Sequence, residues 1–73
     1  MALRWSPDRM ELLERAVRQG RRVIVSRRGT EYVVVARRVE AKGRRDHLVG
    51  HLPMTGEELM FALEDLDEFY VLD

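Results

Sequence analysis

Two valine-rich runs separated by a short turn constrain the fold of this chain more than any other feature. The runs are Val23-Ile24-Val25 and Tyr32-Val33-Val34-Val35, and Arg28-Gly29 lies between them. Branched and aromatic side chains favour strands, and a glycine in a short polar connection favours a tight turn. We therefore expect an antiparallel hairpin with strands over about residues 21–27 and 30–41.

The second strand of this hairpin is expected to be long and bent. Residues 32–36 are apolar on both faces, which indicates that one part lies in a core and another part under the helix. Lys42-Gly43-Arg44-Arg45 is the next turn, and the alternation that follows it predicts a third strand over about residues 46–52. A long bent strand is typical of a small barrel.

A helix with local start and stop signals precedes the hairpin. Ser6 is a favoured N-cap residue, and Pro7 fits the first helical position, where a missing N–H costs nothing. Gly20 is placed to end the helix. These signals predict a helix over about residues 8–19, with an apolar face that includes Met10, Leu13 and Val17.

Residues 54–73 fit two structures, and the fold depends on which of them forms. As a helix, the segment begins with a capping box of Thr55 and Glu58 and continues with apolar residues at helical spacing. As two strands, it places Phe61 with its leucine neighbours on one face before a tight corner at Glu64-Asp65. The strands would cover about residues 58–63 and 68–72.

The strand interpretation of this segment is the one we favour. A helix over residues 56–67 would leave a sheet of three strands and a short tail, and Met60 and Phe61 would point away from its leucine stripe. As a strand, the same residues bury Phe61 and leave Met60 facing outward. The expected fold is therefore mainly β (α+β), an N-terminal helix followed by a five-stranded bent antiparallel sheet that forms a small Sm/SH3-like barrel.

Length and composition exclude several classes of protein. The 73 residues form a single domain, whose core rarely supplies more than roughly 3–5 kcal/mol, so a homo-oligomer is plausible. There is no cysteine, which excludes disulfides and thiol chemistry. No apolar run reaches the length of a membrane helix and no signal peptide is recognisable, so we expect a cytoplasmic protein without membrane contact.

The charges are strongly segregated along the chain although the formal net charge is zero. All 13 Lys and Arg residues lie in residues 1–45 with five acidic residues, which gives +8, whereas residues 46–73 hold eight acidic residues and no Lys or Arg. Such a polarity can create a basic surface for an anionic partner. It can equally pair basic with acidic strands inside the fold or across a subunit interface, and we place internal pairing first.

Three segments in this order resemble the WYL domain, a small Sm-like barrel usually attached to bacterial helix-turn-helix regulators. They are Leu12 to Val17 leading into Arg21-Arg22-Val23-Ile24-Val25, then Asp46-His47-Leu48-Val49-Gly50, and finally Phe61-Ala62-Leu63-Glu64-Asp65-Leu66 leading into Phe69-Tyr70-Val71-Leu72. The resemblance implies that residues 58–63 are the fourth strand and residues 68–72 the fifth. It also implies that nucleic acid or a nucleotide-like ligand is bound in a regulatory role.

The chain departs from the WYL pattern at several positions. The tripeptide that gives the family its name is Asp46-His47-Leu48 here, so both aromatic members are missing. Ala62 and Asp65 stand where the family commonly carries arginines, which weakens the implied anion binding. No helix-turn-helix precedes the barrel, so we expect a stand-alone module and not a complete regulator of the usual kind.

Basic residues in or beside the turns are the best binding candidates. Arginine suits phosphate recognition, and an aromatic ring offers a surface on which a base can stack. His47 is a candidate for the surface or wall of a pocket. The candidate binding residues for nucleic acid or a nucleotide-like anion are Arg27, Arg28, Tyr32, Arg44, Arg45 and His47. A solvated, partly ion-paired rim is the alternative interpretation of these arginines.

We find no pattern that predicts catalysis, a metal site or a cofactor. The chain lacks a Gly-x-Ser-x-Gly motif, a phosphate-binding glycine loop and a His-Glu-x-x-His motif. His47 and His51, the only histidines, would lie about 13 Å apart on a strand, too far to share a metal. We therefore do not expect an enzyme.

Two functions remain open from the sequence. The first is a regulatory binding module for nucleic acid or a nucleotide-like ligand, which uses the arginines of the turns. The second is a homo-oligomeric interaction module whose basic and acidic faces meet between subunits, with apolar contacts from Met60, Tyr70 or Trp5. The first predicts salt-sensitive binding of an oligonucleotide, and the second predicts salt-sensitive self-association without it.

Overall fold

The computed structural model describes residues 2–72, and its helix begins and ends as the capping residues predict. Helix α1 spans Pro7–Gln19, and the Ser6 hydroxyl accepts a hydrogen bond of 3.2 Å from the N–H of Arg9. Gly20 ends the helix with φ 62°, a left-handed conformation that glycine adopts without steric cost. The buried side of α1 carries Leu13 and Ala16.

Within residues 2–72, five strands follow the helix and form one antiparallel sheet. They are β1 Arg22–Arg27, β2 Thr30–Lys42, β3 Arg45–His51, β4 Glu58–Ala62 and β5 Glu68–Val71, with a 3-10 turn at Leu63–Asp65. The order across the sheet is β4-β3-β2-β1-β5. The expected helix and five-stranded, mostly β fold is confirmed, and the alternative of a helix over residues 56–67 is wrong.

The sheet is open and not closed into a barrel. Strand β4 pairs only with β3, and β5 pairs only with β1, so β4 and β5 form the two edges within residues 2–72. The 3-10 turn joins these two edge strands without any ladder between them. The expected barrel closure is therefore not confirmed, although the last strand does lie beside the first.

A tight turn and a bulge set the path of β2. The turn at Arg28 and Gly29 has φ values of 52° and 80°, and positive values at both central residues match the twist of a two-residue hairpin. Farther along, Ala36 pairs with Gly50 and Arg38 pairs with Val49, which leaves Arg37 as an extra residue. This bulge exchanges the faces of β2, because an inserted residue shifts the alternation by one.

The two faces of the sheet differ in burial. The inner face packs on α1, and the core consists of Leu13, Ala16, Val23, Val25, Val34, Ala36, Leu48, Phe61, Leu63, Leu66 and Phe69. Trp5 closes one side of it, because its indole N–H donates to the Leu63 carbonyl at 2.8 Å and its ring lies 5.3 Å from that of Phe69. The outer face carries the side chains that alternate with those of the core.

Candidate functional site

An arginine and two aromatic rings meet at the end of β1. The guanidinium carbon of Arg27 lies 5.6 Å from the ring centroid of Tyr32 and 5.0 Å from that of Phe61. The two rings are themselves 5.1 Å apart and tilted by 58°. Val25 pairs with Tyr32, and alternation therefore directs Arg27 to the same inner face as Val25. We call these three residues the Arg27 cluster.

The charge of the Arg27 cluster has no counter-ion within the described chain. Arg27 is half-buried, and its side chain forms neither an ion pair nor a hydrogen bond with any of residues 2–72. Ring faces attract a cation through their quadrupole but accept no proton and offer no negative charge. The N–H donors of the guanidinium consequently stay without a protein acceptor among residues 2–72, beside a partly apolar surface.

Arg28 lies next to this cluster, in the exposed hairpin turn. Its backbone N–H donates to Asp67 Oδ2 at 3.2 Å, and the Asp67 N–H donates to the Ser26 carbonyl at 2.7 Å. These two bonds fix the turn against the chain that leads into β5. The Arg28 side chain is exposed and adds a second cation near Arg27, while the Asp67 carboxylate adds one negative charge.

Arg44 and Arg45 lie at the opposite end of β2 from the Arg27 cluster. Arg45 is ion-paired with Glu64 at 2.7 Å and with Asp65 at 3.5 Å. Both arginines line a groove of about 420 Å³ together with Trp5 and Glu64. The six candidate residues therefore do not share one network of contacts, because Arg45 pairs with Glu64 and Asp65 whereas Arg27 contacts Tyr32 and Phe61.

His47 lies near Arg45 on β3. Its Nδ1 lies 3.2 Å from the Arg45 carbonyl oxygen, and it pairs across the sheet with Glu40 and Ala62 on the outer face. His51 lies on the same face, as strand alternation predicts. No group of three or more His, Asp or Glu residues within residues 2–72 is placed to hold a metal ion.

Ion pairs join the basic and acidic parts of the chain on the surface. Besides the pairs of Arg45, the Arg38 guanidinium lies 3.0 Å from Glu40 and 3.5 Å from Glu58. The hydrogen bond to Glu40 is the main reason that the pKa of Arg38 is raised. Acidic residues 64 and 65 thus contact Arg45, whereas Asp67 and Glu68 lie beside β1, where Asp67 accepts from the Arg28 N–H and Glu68 pairs with Ser26.

Sequence reasoning did not identify Phe61 as part of the candidate site. Strand alternation correctly placed its ring inside, but β4 is three strands from β1 in the sheet order, so the contact with Arg27 requires the sheet to curl until β4 faces the β1–β2 hairpin.

Comparison of the chain with protein-family models, curated proteins and solved structures gives no match. None of the helices within residues 2–72 combines the length and the apolar character that a membrane span requires. The fold and the geometry of the Arg27 cluster are therefore the basis for a functional argument. They define a small α+β chain with a cationic, partly aromatic surface at one end of its sheet.

Proposed function

We propose that this protein is a binding module of the WYL or Sm-like type, with a regulatory and non-enzymatic role. Its ligand would be a nucleic acid or a nucleotide-like anion. The observation that carries the proposal is Arg27, a half-buried cation without a counter-ion that lies against Tyr32 and Phe61. The position of β5 beside β1 supports a relation to Sm-like folds.

The chemistry of the Arg27 cluster suits a single-stranded or nucleotide-type ligand. A guanidinium donates two parallel hydrogen bonds to a phosphate, and Arg28 in the adjacent turn supplies a second positive charge. Tyr32 is only partly buried, so part of its ring remains for stacking with an unpaired base. A duplex would hide its base faces and satisfy only the phosphate contacts.

Binding of a fluorescent, mixed-sequence single-stranded oligonucleotide, followed by anisotropy over a range of salt concentrations, tests this proposal. Arg27→Gln removes the charge, and we expect weaker binding and a salt slope smaller by about 0.7, the value for one lost phosphate contact on a single strand. Tyr32→Leu is expected to weaken binding by about 1–3 kcal/mol through lost stacking.

Two further variants locate the surface. Arg44→Gln removes the same charge at the far turn, and we expect it to leave both affinity and salt slope close to those of the parent. Arg18→Gln on α1 is the control for a general change of net charge. Equal effects of Arg27→Gln and Arg18→Gln would show that the Arg27 cluster is not the site.

A second candidate function is a homo-oligomeric interaction module with complementary basic and acidic faces. One observation favours it, namely an exposed apolar row on the outer face of the sheet. Val33 and Tyr70 are 40% and 56% exposed, although both flank Ile24 in neighbouring strands. Self-association through such a surface would also add to the stability of a chain with a small core.

A further inference from the structure

The outer face of β5, β1 and β2 carries a continuous apolar row. Ile24 in the central strand is directly opposite Val33 on one side and Tyr70 on the other. Residues that pair in register point to the same face, so the three side chains stand beside one another. Val35 extends the row on β2, and the face lies opposite the side that α1 covers.

Charges of opposite sign border this row at its two sides. Two residues from Ile24 along β1, and on the same face, Ser26 pairs with Glu31 in β2 and with Glu68 in β5. Two exposed carboxylates therefore flank β1. Arg22 lies two residues from Ile24 in the other direction, is exposed and pairs with Val35. None of the three charged groups forms an ion pair within residues 2–72, and Glu68 accepts only a hydrogen bond of 3.4 Å from Tyr70.

We propose that this outer face binds the same face of a second copy of the chain, around a two-fold axis that runs along the apolar row. This inference rests on the second candidate function and specifies its interface. Rotation about that axis reverses the strands, so Arg22 of one copy lies over Ser26 of the other. Arg22 then stands between Glu31 and Glu68 of the second copy, and the same contact recurs on the other side.

Charge selects this arrangement over the other face-to-face pairing. Arg22 and Ser26 are about 13 Å apart along β1, so a reversal of the strands exchanges the basic and acidic borders completely. An axis parallel to the strands would instead place Arg22 on Arg22 and Glu31 on Glu68. Packed sheets keep their strands within about 30° of each other, and the antiparallel arrangement meets that requirement as well.

The dimer is expected to be weak and sensitive to salt. The face spans only three strands, which lie about 4.8 Å apart. The area that it can bury is therefore smaller than the roughly 800 Å² per partner of stable complexes. The apolar row supplies the attraction, and the four carboxylates around the two arginines fix the orientation. The dimer therefore forms with increasing protein concentration and at low ionic strength.

Sedimentation velocity over a series of protein concentrations tests the interface with four chains. The parent is expected to shift from monomer to dimer as the concentration rises, and Arg22→Glu is expected to remain monomeric, because acidic groups then face one another. The triple variant Arg22→Glu, Glu31→Arg, Glu68→Arg restores opposite charges and should restore the dimer. Arg18→Glu, with the same change of charge on α1, should behave as the parent does.

The outcomes separate this interface from the functions proposed above. A parent that stays monomeric overturns both the interface and the second candidate function. A dimer that survives Arg22→Glu overturns the interface alone and points to another contact, such as pairing between edge strands. Oligonucleotide binding by Arg22→Glu is a separate readout, since it tests the Arg27 cluster, and circular dichroism confirms that each variant is folded.

Discussion

Substitution of Gly50 by alanine tests the packing between β3 and β2. Gly50 is buried opposite Ala36, and a Cβ added there would lie 2.9 Å from Val34 Cγ2 and 2.9 Å from the Val35 carbonyl oxygen. The second of these contacts is with backbone, which cannot rotate away. The sheet would have to separate locally or the bulge at Arg37 would have to shift.

The magnitude follows from two opposing effects. Overpacking a well-packed core costs typically about 1–3 kcal/mol, and a backbone contact favours the upper part of that range. Replacing glycine by alanine also restricts the unfolded chain, which stabilises the fold by about 0.4–1 kcal/mol. We expect a net loss of about 2 kcal/mol, or a Tm lower by roughly 8–16 °C for a domain of this size.

Thermal and chemical denaturation followed by circular dichroism measures this loss, and a double-mutant cycle identifies its cause. Val34→Ala removes the Cγ2 contact, so Gly50→Ala and Val34→Ala together should destabilise the protein less than the sum of the two single changes. Gly43→Ala measures backbone strain without overpacking, because its added Cβ meets no atom within 4 Å while its φ of 66° is unfavourable for alanine. Unchanged stability of Gly50→Ala would refute overpacking at this site, whereas additivity with Val34→Ala would assign the loss to the contact with the Val35 carbonyl oxygen.

Three further substitutions have expected effects on stability, each measured by denaturation. Ser6→Ala removes the N-cap of α1 and should cost about 1 kcal/mol, with Ser6→Gly less harmful, and equal effects of the two would contradict a capping role. Trp5→Phe leaves the Leu63 carbonyl without its donor and should cost about 1–3 kcal/mol, a value that Trp5→Leu would exceed. Arg45→Met breaks exposed ion pairs and should lower the free energy of unfolding by less than about 1 kcal/mol. The loss should depend little on salt above physiological ionic strength, and a larger loss would contradict the small contribution expected of exposed ion pairs.

The local elements of this fold were predictable because their signals act over a few residues. Ser6 and Gly20 mark the ends of α1, and the pair Arg28-Gly29 marks the first hairpin turn. In each case the cap or turn requires a particular side chain or a positive φ at one position, so the amino acid itself indicates the structure. Alternation of apolar residues also placed Phe61 on the inner face.

The choice between helix and strand after residue 54 depended on a distant partner. Both patterns are present in the sequence, and β4 forms because β3 offers it a ladder of hydrogen bonds and a buried place for Phe61. The edge of β3 stabilises a strand only where the chain can pair with it, which sequence spacing does not indicate. Helical spacing of the leucines is only a weak preference, and tertiary pairing can override it. Tertiary contact therefore overrode the capping box at Thr55 and Glu58.

The sequence alone thus determined the helix, the first hairpin and the third strand, since these depend on neighbouring residues. Only the tertiary structure decided that Arg27 meets Phe61, that Arg45 pairs with Glu64, and that Arg37 bulges out of β2. Such contacts join residues far apart in the chain, and their formation depends on the register of strands that no local pattern specifies. The candidate site and the outer apolar row are both consequences of that register.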